Sequence, residues 1–472
     1  MTFSDSARQC RDLILNNKLA TFLSVALFAF IISTLSLASS NQNKKEAIAQ
    51  CEAAYKHSTE GPTCSVDIQK DLPVKDPVYL IKQADLLHLW APYGSALVWN
   101  KSVQQSALLC SGTGNELVQT KTAVSYKSCI QGSKFNIEGG ITASSKELEC
   151  KETVTADSVV STEACGNDWG VKHKIGFDAG NAGFVEYIQS CFDPKRLSVL
   201  FTRHILPGAA IASAVTNVDD IAWNSKGIAD TVNPETLYKQ DQQMLQFTKL
   251  LGSEEQAKKY LVTDKQYLSK GHMTPKGDGV FRTWKHATFF YTNAVPQWNT
   301  VNAGNWNRVE LLVQSIASLL KEDLIVIQGT SGVLSLLHLN GAQIPVSLDD
   351  SGIDIPLWTW KIVKSPSKDA GIAFVTLNNP FESKVANLKP LCDDNCDTVG
   401  FSKKEFKDFA QGYTICCDPN HLLRMVRYAP DEGMVQNVLT HTMLSSRGTV
   451  LFTSLSLIFI LFLLQLIRTI YV

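Results

Sequence analysis

Between Ser269 and Glu310 the chain gathers three side-chain types that hydrolytic chemistry uses: imidazole, amide and carboxylate. His272 follows Lys270 and Gly271 and precedes Met273 and a Thr274-Pro275 turn. The stretch Tyr291 to Gln297 adds Asn293, Pro296 and Gln297. An Asn-rich loop, Asn302-Ala303-Gly304-Asn305, then leads to Trp306 and Glu310, which open a helix. A neutral imidazole can take a proton from water near neutral pH. Hard cations prefer oxygen donors, an amide carbonyl included. A cation beside the imidazole can stabilise charge on a phosphate. Together His, Asn and Glu suit metal-assisted phosphodiester hydrolysis. Singly, each has a plainer reading. A lone His is usually structural, Asn in a Gly-rich loop is ordinary turn chemistry, and Trp306 would pack at a helix start.

The spacing of the full set resembles the DNA/RNA non-specific endonuclease family, whose site is a ββα-metal (His-metal finger) motif. That family carries Asp-Arg-Gly-His or Arg/Lys-Gly-His, then Asn-x-x-Pro-Gln, then an Asn followed eight residues later by Glu. Gly271-His272, Asn293, Pro296-Gln297, Asn302, Trp306 and Glu310 fall in those places, with 30 residues from His272 to Asn302. Lys270-Gly271-His272, the run Ala287 to Tyr291, Pro296-Gln297-Trp298 and Ser190-Cys191-Phe192-Asp193 look most like the secreted invertebrate branch that degrades double-stranded RNA and DNA. The similarity covers roughly residues 90–420 and is tightest over 260–312.

The resemblance implies a sequence-non-specific endonuclease acting on DNA or RNA. In it His272 would activate water. Asn302 would be the only direct protein ligand to Mg²⁺, or to Mn²⁺ or another divalent cation. Glu310 would hydrogen-bond a metal-bound water, Lys270 would sit near the phosphate, and Asn293 and Gln297 would shape the metal loop. Products would carry 5′-phosphates. The chain departs from the family at Ser269 and Lys270, where the common form has Asp and Arg. It departs again at Gln314, where some members have Arg. A second phosphate-binding cation would then come from Arg203, Lys276, Arg282 or Arg308, which the sequence does not rank. Those departures keep a second reading open, a catalytically weak nucleic-acid-binding or uptake receptor on the same fold. A structural or adhesion role for the Cys-rich part is a third.

The elements that must carry these residues read as α+β. The expected architecture is a ββα-metal core on a central antiparallel or mixed sheet, preceded by a β-rich disulfide-bearing subdomain and flanked by transmembrane helices at both ends. Residues 76–190 form the β-rich part, with short strand-like runs separated by turns such as Ser111 to Asn115. Sequential pairing of Cys110 with Cys129 and of Cys150 with Cys165 would staple two hairpins, although spacing alone does not determine connectivity. Residues 191–430 form the endonuclease domain. Leu237 to Leu251 reads as a helix ended by Gly252, and Ser253 with Gln256 as a capping box. Val309 to Leu320 reads as a helix with Leu311, Leu312, Ile316 and Leu319 near one face. Leu197 to Thr202, Leu324 to Ile327, Trp360 to Val363 and Ile372 to Leu377 read as strands.

The ends read differently. Leu19 to Ala38 is an uncharged apolar run of 20 residues, and Thr449 to Ile467 one of 19. Helices of that length span a bilayer core. The first is read as an uncleaved anchor in preference to a cleaved signal, with residues 1–18 a cytosolic tail and 43–75 a tether. Of 12 Cys, all but Cys10 lie between the runs, which suits an oxidising lumen or exterior. Asn100-Lys101-Ser102 is a glycosylation sequon on that same side. The expected protein is thus membrane-embedded, with its catalytic domain extracellular or lumenal. Net charge is −1, so phosphate binding must come from a local cleft or a metal and not from bulk basicity.

Overall fold

The computed structural model describes residues 64–99, 106–216 and 221–445. These divide into two compact units, residues 64–155 with 178–185 and residues 156–177 with 186–445.

The first unit is built on six short antiparallel strands, in the order Leu86–Leu89, Val78–Gln83, Ser106–Leu109, Val124–Gln131, Lys134–Ile137, Ile141–Ser144. Cys64–Asp67, expected in the tether, is a strand paired with Ala96–Trp99. The disulfides here are Cys64–Cys129 and Cys110–Cys150. Sequential hairpin stapling is therefore wrong. Cys129 sits on a strand whose disulfide partner opens the chain's first described strand, and Cys165 pairs instead with Cys191 in the second unit.

The second unit centres on a nine-stranded sheet. Its order is Thr414–Cys417, Ala370–Leu377, Pro356–Ser365, Asp323–Val333, Ser198–Pro207, Phe184–Asp193, Gly170–Asp178, Asp157–Cys165. Asn437–Val438 joins Ala370–Leu377 in parallel, so the sheet is mixed. Strand residues alternate between faces, and the alternation sorts the core. Leu324, Val326, Val363, Ile372 and Phe374 pack with the helix Asn307–Leu320, while Ile327, Trp360, Ile362, Ala373 and Val375 form a separate cluster. That helix buries Val309, Val313, Ile316 and Ala317, spaced by four, three and one. Leu311 and Leu319, expected on the packed face, are each 56 % exposed because the buried stripe runs through Val309 and Val313.

Gln240–Leu251 is helical and stops at Gly252, whose φ of 89° a side chain would resist. Ser253 Oγ accepts from Gln256 N at 3.1 Å. The Gln256 amide turns away to Leu337 O, so only half of the expected capping box is made.

The expected transmembrane architecture is corrected. Among the described residues no helix is long and apolar enough to cross a membrane. Residues 19–38 and 449–467 lie outside the described residues, as do the tail 1–18, Cys10, Cys51 and the Asn100 sequon. The fold that positions the site is the α+β body alone.

Candidate active site

His272 ends the strand Leu268–His272, which pairs antiparallel with Ala294–Trp298. In that register Lys270 faces Pro296, Gly271 faces Val295 and His272 faces Ala294. Gly271 is required by close approach, since a Cβ there would lie 2.5 Å from Gln297 Oε1. Gln297 is fully buried and reaches Thr359 Oγ1 at 3.4 Å. Asn293, also fully buried, ties down the chain leaving His272. Its Oδ1 accepts from Thr274 N at 2.8 Å, and its Nδ2 donates to Thr274 O at 2.9 Å and Thr288 O at 2.8 Å.

Asn302–Trp306 is a widened π-type turn that runs straight into the helix Asn307–Leu320. Such turns aim side chains away from the regular helical ladder. Gly304 breaks helical geometry there, and a Cβ on it would meet Gln411 O at 2.7 Å. Asn305 anchors the turn from below, donating to Glu405 O at 2.6 Å and Gly412 O at 2.8 Å.

Two hydrogen bonds fasten this turn to the histidine strand. Asn302 Nδ2 donates to Ser269 Oγ at 3.1 Å, and Trp306 Nε1 donates to His272 O at 3.3 Å. The Ser269 hydroxyl in turn donates to Gln297 O at 3.0 Å. The structure thus brings His272 and Asn302 to one junction. The amide nitrogen of Asn302 is thereby committed to Ser269.

The half-buried His272 ring lies against Trp223 at 4.6 Å and Phe289 at 4.7 Å between centroids. Burial, and then the nearby Lys276 charge, take its pKa down to about 3. The ring is therefore neutral at pH 7 and able to accept a proton. Its Nε2 is buried without a hydrogen-bond partner. Glu310 stands in the first turn of the helix. Burial pushes its carboxyl well above the usual carboxylate range, Asp278 adds to the rise and Lys361 opposes it.

The remaining cations separate. Lys270 Nζ lies 5.6 Å over both the Trp223 and Tyr291 rings, and burial lowers its pKa. Lys276 lies 5.8 Å over Phe289 and near enough to His272 to act on its charge. Arg203 is bound to Glu432 through Nε at 3.0 Å and Nη2 at 2.7 Å, which occupies its fork. Arg308 reaches Asn305 Oδ1 at 3.4 Å. Arg282 opens the short helix Arg282–His286. Gln314, at the position where an arginine was looked for, donates to Asp278 Oδ1 at 3.0 Å.

Sequence reasoning missed Trp223, Asp278 and Lys361. None lies inside a recognisable motif. Asp278 bonds His204 Nε2 at 2.9 Å in a fully buried pair, and Lys361 is entirely buried. Burial holds His204 and His173 below the ordinary histidine range, Asp278 partly opposing this at His204. A depressed native pKa means the unfolded chain binds protons first as pH falls. Stability from these two groups is thus complete above the unfolded pKa of about 6.5 and lost below it, at most about 1.4 kcal/mol per group per pH unit. The melting temperature should fall between pH 7.5 and 5.5; a flat profile in differential scanning calorimetry would contradict their neutral burial.

A family model for DNA/RNA non-specific endonuclease matches residues 171–422. The chain belongs to the DNA/RNA non-specific endonuclease family. A salivary endonuclease of Lutzomyia longipalpis is 31% identical over 368 residues, covering 76% of this chain and 82% of that protein. Salivary protein Tsal2A of Glossina morsitans morsitans is 25% identical over 383 residues, covering 80% and 95%. The mitochondrial nuclease EXOG of Xenopus laevis is 32% identical over 152 residues, 29% of this chain and 42% of that one. A chain from the crystal structure of the EndoG/EndoGI complex aligns with a TM-score of 0.35 at 12% identity, over 53% of this chain and 87% of that one, too loosely to carry any argument. The non-specific endonuclease described here is thus a DNA/RNA nuclease by family. Its described disulfides, which also include Cys392–Cys417 and Cys396–Cys416, suit an oxidising, extracellular setting.

Proposed function

We propose that this endonuclease hydrolyses phosphodiester bonds of DNA or RNA with a divalent cation, Mg²⁺ or Mn²⁺, held at Asn302. The observation that carries the reading is the double attachment of the Asn302–Trp306 turn to the His272 strand. The residues fit such an ion through an amide oxygen, a donor that hard cations accept, on a turn held to the histidine strand. When bound, the ion supplies positive charge for the scissile phosphate and the departing oxygen. Asn302 Oδ1 would hold it, and Glu310 would orient it through a water. His272 removes a proton from the attacking water as its oxygen bonds to phosphorus. The bond from phosphorus to the 3′ oxygen breaks, leaving a 5′-phosphate on one product. Lys270, over the Trp223 ring, and Lys276, over the Phe289 ring, both of which pack on His272, steady the phosphate.

The test incubates the purified chain with plasmid and double-stranded RNA, with Mg²⁺ and with chelator. Metal-dependent cutting with ligatable 5′-phosphate ends is expected. Tight binding without cutting at any metal concentration would overturn the hydrolase reading in favour of a binding protein. Lys270→Ala should weaken substrate binding about tenfold at low salt. It should also flatten the slope of log affinity against log salt by about 0.9, the loss of one phosphate contact. An unaltered slope would remove Lys270 from the phosphate.

A further inference from the structure

Lys361 lies in the strand Pro356–Ser365 with no exposed surface. A buried ammonium is costly unless its hydrogen bonds are made and its charge is answered. A methionine would fill similar space without that cost. The contacts of Lys361 explain where the charge is spent. Its Nζ binds Gln328 Oε1 and reaches Met273 O at 3.4 Å, and it lies 5.0 Å over the Trp306 ring. Met273 directly follows His272, and Trp306 carries the N–H that binds His272 O. The ammonium therefore touches both arms of the site from within the sheet, the histidine strand and the metal turn. Burial lowers the pKa of Lys361, and the carboxylates of Asp278 and Glu310 oppose that shift.

Gln328 is oriented for this contact. Its Nε2 donates to Thr202 Oγ1 at 2.9 Å and Thr274 Oγ1 at 2.8 Å and lies 3.3 Å from His204 Nδ1. With the amide nitrogen so engaged, Oε1 is aimed at Lys361. His204 is held by Asp278, and Asp278 by Gln314. A polar network thus runs beneath the site from Gln314 to Lys361. Such networks are tolerated in a core where every member is satisfied, and they specify one geometry.

We propose that Lys361 is a positioning residue for hydrolysis, clamping the Met273 carbonyl and the Trp306 ring so that His272 and Asn302 keep their mutual geometry. This role rests on the metal-dependent reading above. Lys361 touches neither substrate nor ion. It acts through the residues that do, as groups behind metal sites commonly do, with losses of about 10–100-fold when removed.

The experiment compares wild type with Lys361→Met and Gln328→Met. Mn²⁺ affinity is read from the electron paramagnetic resonance signal of free Mn²⁺, kcat and KM from cleavage of a short duplex, and folding from Tm. Lys361→Met is expected to lower Tm, since it leaves Gln328 Oε1 and the Met273 carbonyl without their buried partner. Its Mn²⁺ dissociation constant should rise about tenfold and kcat fall about a hundredfold, with KM within about twofold. Gln328→Met should move both in the same direction by less, and it carries the test where Lys361→Met does not fold. A folded Lys361→Met, or failing that Gln328→Met, with Mn²⁺ affinity and kcat both unchanged overturns the role. A wild-type chain that neither binds Mn²⁺ nor cuts overturns the metal-dependent reading itself and this role with it.

Discussion

Replacing His272 with alanine is expected to lower kcat/KM for plasmid cleavage by about 10⁴, the upper range for loss of a general base. Burial keeps the imidazole neutral at working pH, so the form that accepts a proton is the one present, at the cost of lower basicity. The hydrogen bond from Trp306 goes to the backbone carbonyl of residue 272, which alanine retains. The metal turn should therefore stay in place, and Mn²⁺ affinity should change little. The ring does pack on Trp223 and Phe289, so a modest fall in Tm is expected from the lost contacts. Single-turnover cleavage beside a Mn²⁺ titration separates these effects. A loss of activity under tenfold would remove His272 from proton transfer. A parallel collapse of Mn²⁺ binding would make its role structural.

The second large effect is expected at Asn302. Asn302→Ala deletes both the oxygen offered to the cation and the donor that binds Ser269. Cleavage should fall about 10³-fold at 1 mM Mg²⁺ because ion and turn are lost together. Raising the metal concentration should restore part of it. Ser269→Ala is the control, since it removes the same hydrogen bond and leaves the oxygen. Its loss should be much smaller, about tenfold or less. Metal dependence of Asn302→Ala matching wild type would contradict the ligand assignment.

The near half of this site was legible in the sequence because it is short-range. Ser269, Lys270, His272, Asn293, Asn302 and Glu310 fall on one hairpin, one turn and one helix start, within a single window. Local spacing determines what such elements place together. The supporting half was not legible. Gln328 bonds Thr202, 126 residues away, and Lys361 reaches Met273, 88 residues away. Those contacts depend on sheet order, which strand patterns do not specify. A lysine inside an apolar strand such as Trp360 to Val363 gives no sign of which buried group it meets.

The same limit explains the misread details. Leu311 and Leu319 are apolar, yet the packed stripe is set by where the helix rests on the sheet, through Val309 and Val313. Disulfide partners follow three-dimensional neighbourhood, so Cys110 joins Cys150 across 40 residues and not the nearer Cys129. Arg203 looked free as a sequence residue, but the fold brings Glu432 to it from 229 residues away.

The claim on which the rest depends is that the Asn302 amide oxygen and the His272 imidazole serve one cation on one phosphate. The most direct measurement is anomalous diffraction from crystals of the His272→Ala protein soaked with Mn²⁺ and a short duplex. The expected result is a manganese peak against Asn302 Oδ1, with a backbone phosphate beside it and the emptied His272 position across from it. Manganese bound elsewhere on the chain, with Asn302 still bonded only to Ser269, would contradict it.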